Sequence, residues 1–253
     1  MHELAISPAI AALRVRIAQL EGDGARAREV LPFGVPSLDR KLPGGGLALG
    51  CLHEVAGGGN GAVDGAAAAC FVAGIAARTQ GKVLWCVAQQ DLFAPGLEQA
   101  GLPPDRVIHV EAGDDKSVLA CMEEGLRHGG LGAVVADIAR LPMTASRRLH
   151  LAAKESGTIG LALRRWRRQA EASDFGQPTA AMTRWRISVL PSRPLPVPGV
   201  GRARWLIELI RARAGESLDI ELEACDGSGH LGLPADMADR PAAAEGRRHS
   251  AAS

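Results

Sequence analysis

A glycine-rich loop near residue 60 lies between an apolar segment and an alanine-rich segment. It consists of the residues Gly57, Gly58, Gly59, Asn60, Gly61, Ala62, Val63 and Asp64. A working phosphate loop reads G-x-x-x-x-G-K-[ST], where backbone amides hold phosphates, lysine balances their charge and the hydroxyl binds magnesium. Alanine, valine and aspartate occupy the last three positions here, so the context of the motif is present without its chemistry.

Two of these replacements oppose the binding of a nucleotide. Val63 stands in place of the lysine, and Asp64 stands in place of the hydroxyl residue. At an effective dielectric near 20, unit charges about 4 Å apart interact by about 4 kcal/mol, so the repulsion and the lost attraction are both large. We therefore expect the glycines to serve only a strand-to-helix turn, and we expect no ATP cofactor and no enzymatic activity.

The segments around the loop alternate between strand and helix patterns. Short apolar or alternating runs predict strands at 52–56, 82–88, 107–110, 133–138, 158–163, 184–190, 204–210 and 218–223. Longer segments predict helices at 65–78, 117–128 and 146–156. This order predicts an α/β fold with a mostly parallel sheet flanked by helices.

Both ends of the chain differ from this pattern. Apolar residues recur at three- and four-residue steps from Pro8 to Leu20, which predicts a short amphipathic helix followed by a linker to residue 29. From residue 234 onward, alanine and one methionine are almost the only apolar residues, which predicts a disordered tail at 234–253. The α/β domain is expected at 30–233.

The bulk composition favours a protein of the reducing cytoplasm. The five cysteines form no C-x-x-C pair, so neither a metal site nor a disulfide framework is expected. The first residues lack the pattern of a signal peptide, and no run of 18 apolar residues occurs, so no membrane association is expected. The net charge is only +1, yet arginines are concentrated between residues 140 and 213, and acidic residues follow them.

The densest part of this basic segment combines arginines with aromatic rings. Its members are Arg164, Arg165, Trp166, Arg167, Arg168, Arg184, Trp185 and Arg186. Cations and rings together can follow a phosphate backbone and stack on bases, but arginine and tryptophan are also enriched at protein interfaces. Contact with DNA, contact with a protein and a solvated surface therefore all remain open.

The order of these motifs resembles the RecA-like ATPases and, among them, the ImuA proteins. The RecA-like run into the loop is carried by Phe33-Gly34, Leu38-Asp39, the stretch from Leu42 to Leu47, Gly50 and Glu54-Val55. Resemblance to ImuA is carried by the stretches Asp91–Leu97, Gly101–Arg106, Ser146–Ala153 and Pro178–Arg186. The resemblance places Gln89 where active members have the glutamate that activates water, and an amide cannot act as a general base. Asp137 matches the magnesium-associated aspartate of the Walker B strand, although a structural role is also open.

The resemblance implies a non-catalytic accessory factor in damage-inducible, error-prone translesion DNA synthesis. The implied partners are ImuB, an inactive homologue of Y-family polymerases, and an error-prone polymerase of the replicative type; RecA and single-stranded DNA are further candidates. One alternative is a RecA-like ATPase that uses a displaced cation such as Lys41, Arg78 or Lys82. Another is a cell-division inhibitor of the SulA type, against which the RecA-like order through Asp137 speaks.

Overall fold

The structure is a computed structural model that describes residues 29–59, 61–166, 175–193, 199 and 201–233. The predicted helix at 8–20, the predicted tail at 234–253 and the site residues Asn60, Arg167 and Arg168 lie outside these residues. The proposed domain boundaries at 29/30 and 233/234 therefore stay predictions.

Ten strands and five α-helices are formed within the described residues. The strands are β1 (Val30–Leu31), β2 (Leu47–Ala48), β3 (Leu52–Gly57), β4 (Val83–Val87), β5 (Val107–Glu111), β6 (Ala133–Ile138), β7 (Ile159–Arg164), β8 (Thr183–Leu190), β9 (Arg204–Ala212) and β10 (Leu218–Glu223). The helices are α1 (Pro36–Asp39), α2 (Gly61–Ala77), α3 (Ala94–Gln99), α4 (Asp115–His128) and α5 (Met143–Ser156).

Eight of the strands form one sheet in the order β10-β9-β8-β3-β7-β6-β4-β5. The six strands from β8 to β5 in that order run parallel, whereas β9 is antiparallel to both β8 and β10. Helices connect parallel strands because such crossovers must return the chain to the same edge of the sheet. The predicted α/β fold with a mostly parallel sheet is confirmed.

Helices cover both faces of the central strands. Val55 and Leu161 pack in the core on the side of α2, while Leu52 and Ala162 pack in the core on the side of α4 and α5. Strands whose two faces are both buried are expected to be continuously apolar, as β4 is. Their carboxyl ends meet at one edge, where the loops from β3, β4, β6 and β7 lie together.

Helix α2 is buried over most of its surface, and its centre holds an aromatic cluster. The ring of Phe71 lies 5.7 Å from Phe33, 5.8 Å from Trp185 and 6.4 Å from Trp205. The helix begins at Gly61, four residues before the predicted start at residue 65. Ala62, Val63 and Asp64 therefore belong to its first turn.

Candidate functional site

The glycine loop makes a close turn from β3 into α2. A Cβ atom on Gly57 would lie 2.8 Å from the backbone of Asp64, and one on Gly58 would lie 2.1 Å from Ser188 Oγ. The amide of Gly58 also donates a hydrogen bond to the carbonyl of Ile187 at 2.8 Å. A side chain at Gly57 would meet backbone atoms, and one at Gly58 would displace the side chains of Ser188 and Asp64, which agrees with the expectation that these glycines serve the geometry of the turn.

Asp64 is a structural contact between α2 and β8. Its side chain is buried, with 2% exposed, and its Oδ1 accepts a hydrogen bond of 2.9 Å from the amide of Val189. A carboxylate in the first turn of a helix also interacts favourably with the helix dipole. The aspartate at the position of the magnesium-binding hydroxyl thus fixes the start of α2 to the end of β8.

The three cations considered as substitutes for the missing lysine have other partners. Lys41 pairs with Glu216, and Lys82 donates to a backbone carbonyl, that of Asp105. Arg78 donates to the carbonyl of Pro32. Both Arg78 and Lys82 follow the far end of α2, which is 17 residues and about 25 Å long, so they lie at the opposite edge of the sheet. The displaced-cation alternative is therefore not supported for these residues.

Arg165, directly after β7, is the cation that reaches this edge of the sheet. Its Nε donates to Asp137 Oδ2 at 2.6 Å, and its Nη2 lies 2.5 Å from Asp91 Oδ1. The side chain packs along α2, since a Cβ on Gly65 would lie 3.7 Å from Arg165 Cδ. Burial opposes the charged form, but hydrogen bonds and charge attraction from Asp137 and then Asp91 outweigh it and raise the pKa of Arg165.

Two neighbouring clefts surround this arginine. One of about 400 Å³ lies beside the glycine loop and is lined by Gly57, Gly61, Ala62, Gly65, Asp91, Asp137, Arg164, Arg165 and Trp166. The other, of about 240 Å³, is lined in part by Gln89, Asp91, Asp114, Asp115, Asp137 and Arg165. The guanidinium of Arg164 pairs with Glu54. Arg165 is therefore the cation that faces the four aspartates lining the two clefts, and it already pairs with two of them. This charge balance disfavours a polyanion.

Three residues of the expected basic surface are part of the interior. Arg164 and Trp185 are 0% exposed and Arg184 is 8% exposed, so in this fold they are not part of the surface on which contact with DNA or a partner was left open. Side chains alternate along a strand, and both faces of β7 and β8 are covered at these positions. Trp166 is half-buried, while Arg186 keeps 42% of its side chain exposed and pairs with Glu208 at 3.4 Å.

The buried arginines share one buried carboxylate, that of Glu54 on β3. Arg164 Nη1 lies 2.6 Å from Oε1, and Arg184 Nε lies 2.9 Å from Oε2. The hydroxyl of Thr179 also donates to Oε2 at 2.9 Å. A buried charge requires such partners, and this set joins β3, β7, β8 and the segment that precedes β8.

The buried ring of Phe175 lies against the arginines of this network. Its ring centroid lies 5.1 Å from the guanidinium carbon of Arg184 and 5.9 Å from those of Arg164 and Arg186. Trp166 contacts the same ring edge-on at 5.6 Å.

Glu54, Asp91 and Phe175 were not predicted as site residues from the sequence. The signal for Glu54 was a lone acidic residue within an apolar strand, which needs a buried cation as its partner.

Metal and membrane sites are not found in the part of the chain that the structure describes. In that part, no group of three or more His, Cys, Asp and Glu side chains is arranged to hold a metal ion. No described helix is both long enough and apolar enough to cross a bilayer.

Comparisons with known proteins agree with the fold and identify relatives. A family model, "Cell division inhibitor SulA", matches residues 75–160, which excludes the glycine loop and β8–β10. The crystal structure of the RadB recombinase is similar with a TM-score of 0.55 and 17% identity, covering 81% of this chain and 99% of that chain. This likeness supports the RecA-like fold.

Curated relatives match over nearly the whole chain. Protein ImuA of Caulobacter vibrioides strain NA1000 / CB15N is 40% identical over 235 residues, which covers 87% of this chain and 95% of the relative. Protein ImuA of strain ATCC 19089 / CB 15 of the same species matches to the same extent. Identity at this level over this length shows the family: the chain belongs to the ImuA family.

Proposed function

We propose that this protein is a non-catalytic accessory factor in damage-inducible, error-prone translesion DNA synthesis, acting in the cytoplasm. Its membership of the ImuA family supports the process. The proposed partners are an ImuB-like polymerase homologue and an error-prone polymerase of the replicative type. RecA and single-stranded DNA are further proposed contacts, because the fold is that of the RecA-like proteins.

The observation that carries the non-catalytic part of this proposal is the position of Arg165. Its guanidinium lies between Asp91 and Asp137, so the Walker B-type aspartate already has a cationic partner within the chain. Asp64 has its own backbone partner in Val189, and Val63 supplies no charge. The residues at the cleft do not fit a magnesium nucleotide, and Gln89 supplies no general base.

A pull-down from DNA-damaged cells tests the proposed assembly. The tagged full-length protein is expected to recover polymerase subunits after damage. Absence of both polymerase subunits from the parent's pull-down contradicts the proposal.

A second candidate, a cell-division inhibitor of the SulA type, is favoured by the family-model match at 75–160. The same pull-down distinguishes it. Recovery of the division protein FtsZ without polymerase subunits supports this candidate and contradicts the accessory-factor proposal.

A further inference from the structure

A groove of about 530 Å³ lies between the N-terminal halves of α4 and α5, on the face of the sheet opposite α2. Its surface is mainly apolar, and its floor includes Leu119 and Leu149. The helix positions that border it carry small side chains, Ala120 and Ala145. Because these side chains are short, the space between the two helices remains open.

The exposed charges around this groove are cationic. Lys116 and Arg140 are exposed, and Arg148 keeps 68% of its side chain exposed. The carboxylate of Glu123 is 7% exposed and pairs with Arg127 and Arg148. Asp115, the other acid in the lining, accepts hydrogen bonds from the amides of Ala139 and Arg140 at 3.0 and 3.1 Å. The acidic groups are thus engaged within the protein, and the rim favours a carboxylate-bearing ligand.

The start of α5 adds to this preference. Its N-cap residue is Pro142, and no side chain caps the helix, whereas Asp114 caps α4 by accepting from the amide of Ser117 at 2.8 Å. The first amides of a helix lack intrahelical partners, and the positive end of the helix dipole favours an anion there. Pro142 and Thr144 line the groove, so this positive end borders it.

We propose that this groove binds an amphipathic segment of a partner protein, whose apolar side chains enter the groove and whose carboxylates lie near Lys116, Arg140 and the start of α5. Charge complementarity supports this class of occupant over the chain's own apolar stretch at 8–20. That stretch carries Arg14 and Arg16 and no acidic residue. The proposal goes beyond the function proposed above, since it does not depend on the state of the cleft at Arg165.

The test uses full-length protein and two synthetic helical peptides with leucines at three- and four-residue steps. One peptide has glutamates beside the leucines, and the other has lysines. Fluorescence anisotropy should give at least about ten-fold tighter binding of the glutamate peptide, equivalent to about 1.4 kcal/mol. A double variant, Lys116→Glu with Arg140→Glu, should remove or reverse this preference.

Variants that fill the groove locate the binding. Ala120→Trp, at an exposed helix position, and Ala145→Trp should each weaken the glutamate peptide at least about ten-fold. The matched control is His128→Trp, at the exposed end of α4 outside the groove, which should leave binding unchanged. Melting curves confirm that each variant is folded.

Three results of the peptide-binding experiments overturn the proposal. They are equal affinity for the two peptides, no binding of either at about 1 mM, which corresponds to about −4 kcal/mol, or binding that folded groove-filling variants do not weaken. Sedimentation of the same variants tests whether the groove binds a second copy of this chain. If the parent self-associates and the groove-filling variants do not, the groove holds a second copy and the proposal is wrong.

Discussion

At the scale of single residues, Arg165 supplies the cation that pairs with both Asp91 and Asp137 in the cleft. Replacing it by glutamine leaves Asp91 and Asp137 without the cation that now bridges them. The Arg165→Gln protein is expected to melt at a lower temperature than the parent and to regain stability in millimolar MgCl₂, because two facing carboxylates repel each other and favour a divalent cation. Differential scanning fluorimetry with and without MgCl₂ measures both effects.

Arg186→Gln provides the control for this change. Arg186 is more exposed than Arg165 and pairs with one carboxylate at 3.4 Å, so neither its melting temperature nor its response to magnesium should change appreciably. An Arg165→Gln protein as stable as the parent, with no response to magnesium, would mean that the bridge contributes nothing.

His53 predicts a pH dependence of stability. Burial is the main cause that lowers the pKa of His53 from 6.5 to about 4, and the charge of His150 lowers it further. The hydrogen bond to the carbonyl of Ala48 opposes this shift. The Ala48 carbonyl can only accept, so Nε2 carries the proton and Nδ1 accepts from the Thr183 hydroxyl at 2.7 Å. The folded state therefore prefers the neutral ring, and the resulting stability is present above pH 6.5 and is lost as the pH falls towards 4.

Urea denaturation at pH 7 and pH 5 tests this dependence. The unfolded state binds the proton over most of that interval while the folded state does not, which predicts a loss of about 2 kcal/mol in the free energy of unfolding. A His53→Gln variant should lose correspondingly less over the same interval. Equal losses in parent and variant would assign the pH dependence to other groups.

At the scale of elements, the network at Glu54 holds β3, β7 and β8 together. Arg164→Ala removes one of its two arginines and leaves a buried carboxylate partly uncompensated, which predicts a loss of about 3 kcal/mol in the free energy of unfolding. Arg186→Ala, on β8 with 42% of the arginine side chain exposed, should lower the free energy of unfolding by less than about 1 kcal/mol. Similar losses in chemical denaturation of the two variants would contradict the buried network.

One prediction about DNA binding concerns the segment between β7 and β8. Arg167 and Arg168 of the expected basic surface lie outside the described residues, so contact between them and DNA stays a prediction. If they contact single-stranded DNA, a double change to alanine should lower the slope of log affinity against log salt by about 0.7 for each lost phosphate contact. Anisotropy with a labelled oligonucleotide over a salt series measures this slope, and an unchanged slope excludes the contact.

The sequence predicted the strands and helices better than it predicted which side chains pair between them. Apolar runs and glycines are local signals, and the strands at Ala133–Ile138 and Leu218–Glu223 begin and end where expected. The partners of Glu54 are 110 and 130 residues away along the chain, so no local pattern joins them. Consecutive arginines in the sequence look like one surface, although alternation along a strand places some of them inside.

At the scale of the whole molecule, the separated blocks of charge in the sequence meet across antiparallel strands. Arg186 pairs with Glu208 between β8 and β9, and Arg202 pairs with Glu223 at 3.1 Å beside β10. Arg204 pairs with Glu221 between β9 and β10. The sequence predicted these three strands but not their orientation. The alternation of apolar and acidic residues in Leu218–Glu223 is the pattern of an antiparallel strand with one solvated face, and it was the available signal. The basic and acidic regions thus partly neutralise each other in the fold.

The central claim, that the RecA-like cleft does not use ATP, is tested most directly by the melting temperature of the full-length protein with and without millimolar Mg-ATP. A ligand at a hundred times its dissociation constant adds about 2.7 kcal/mol of stability, which raises the melting temperature of a domain of this size by several degrees. We predict no shift and no release of phosphate in a parallel hydrolysis assay. A saturable rise in melting temperature with Mg-ATP would contradict the account.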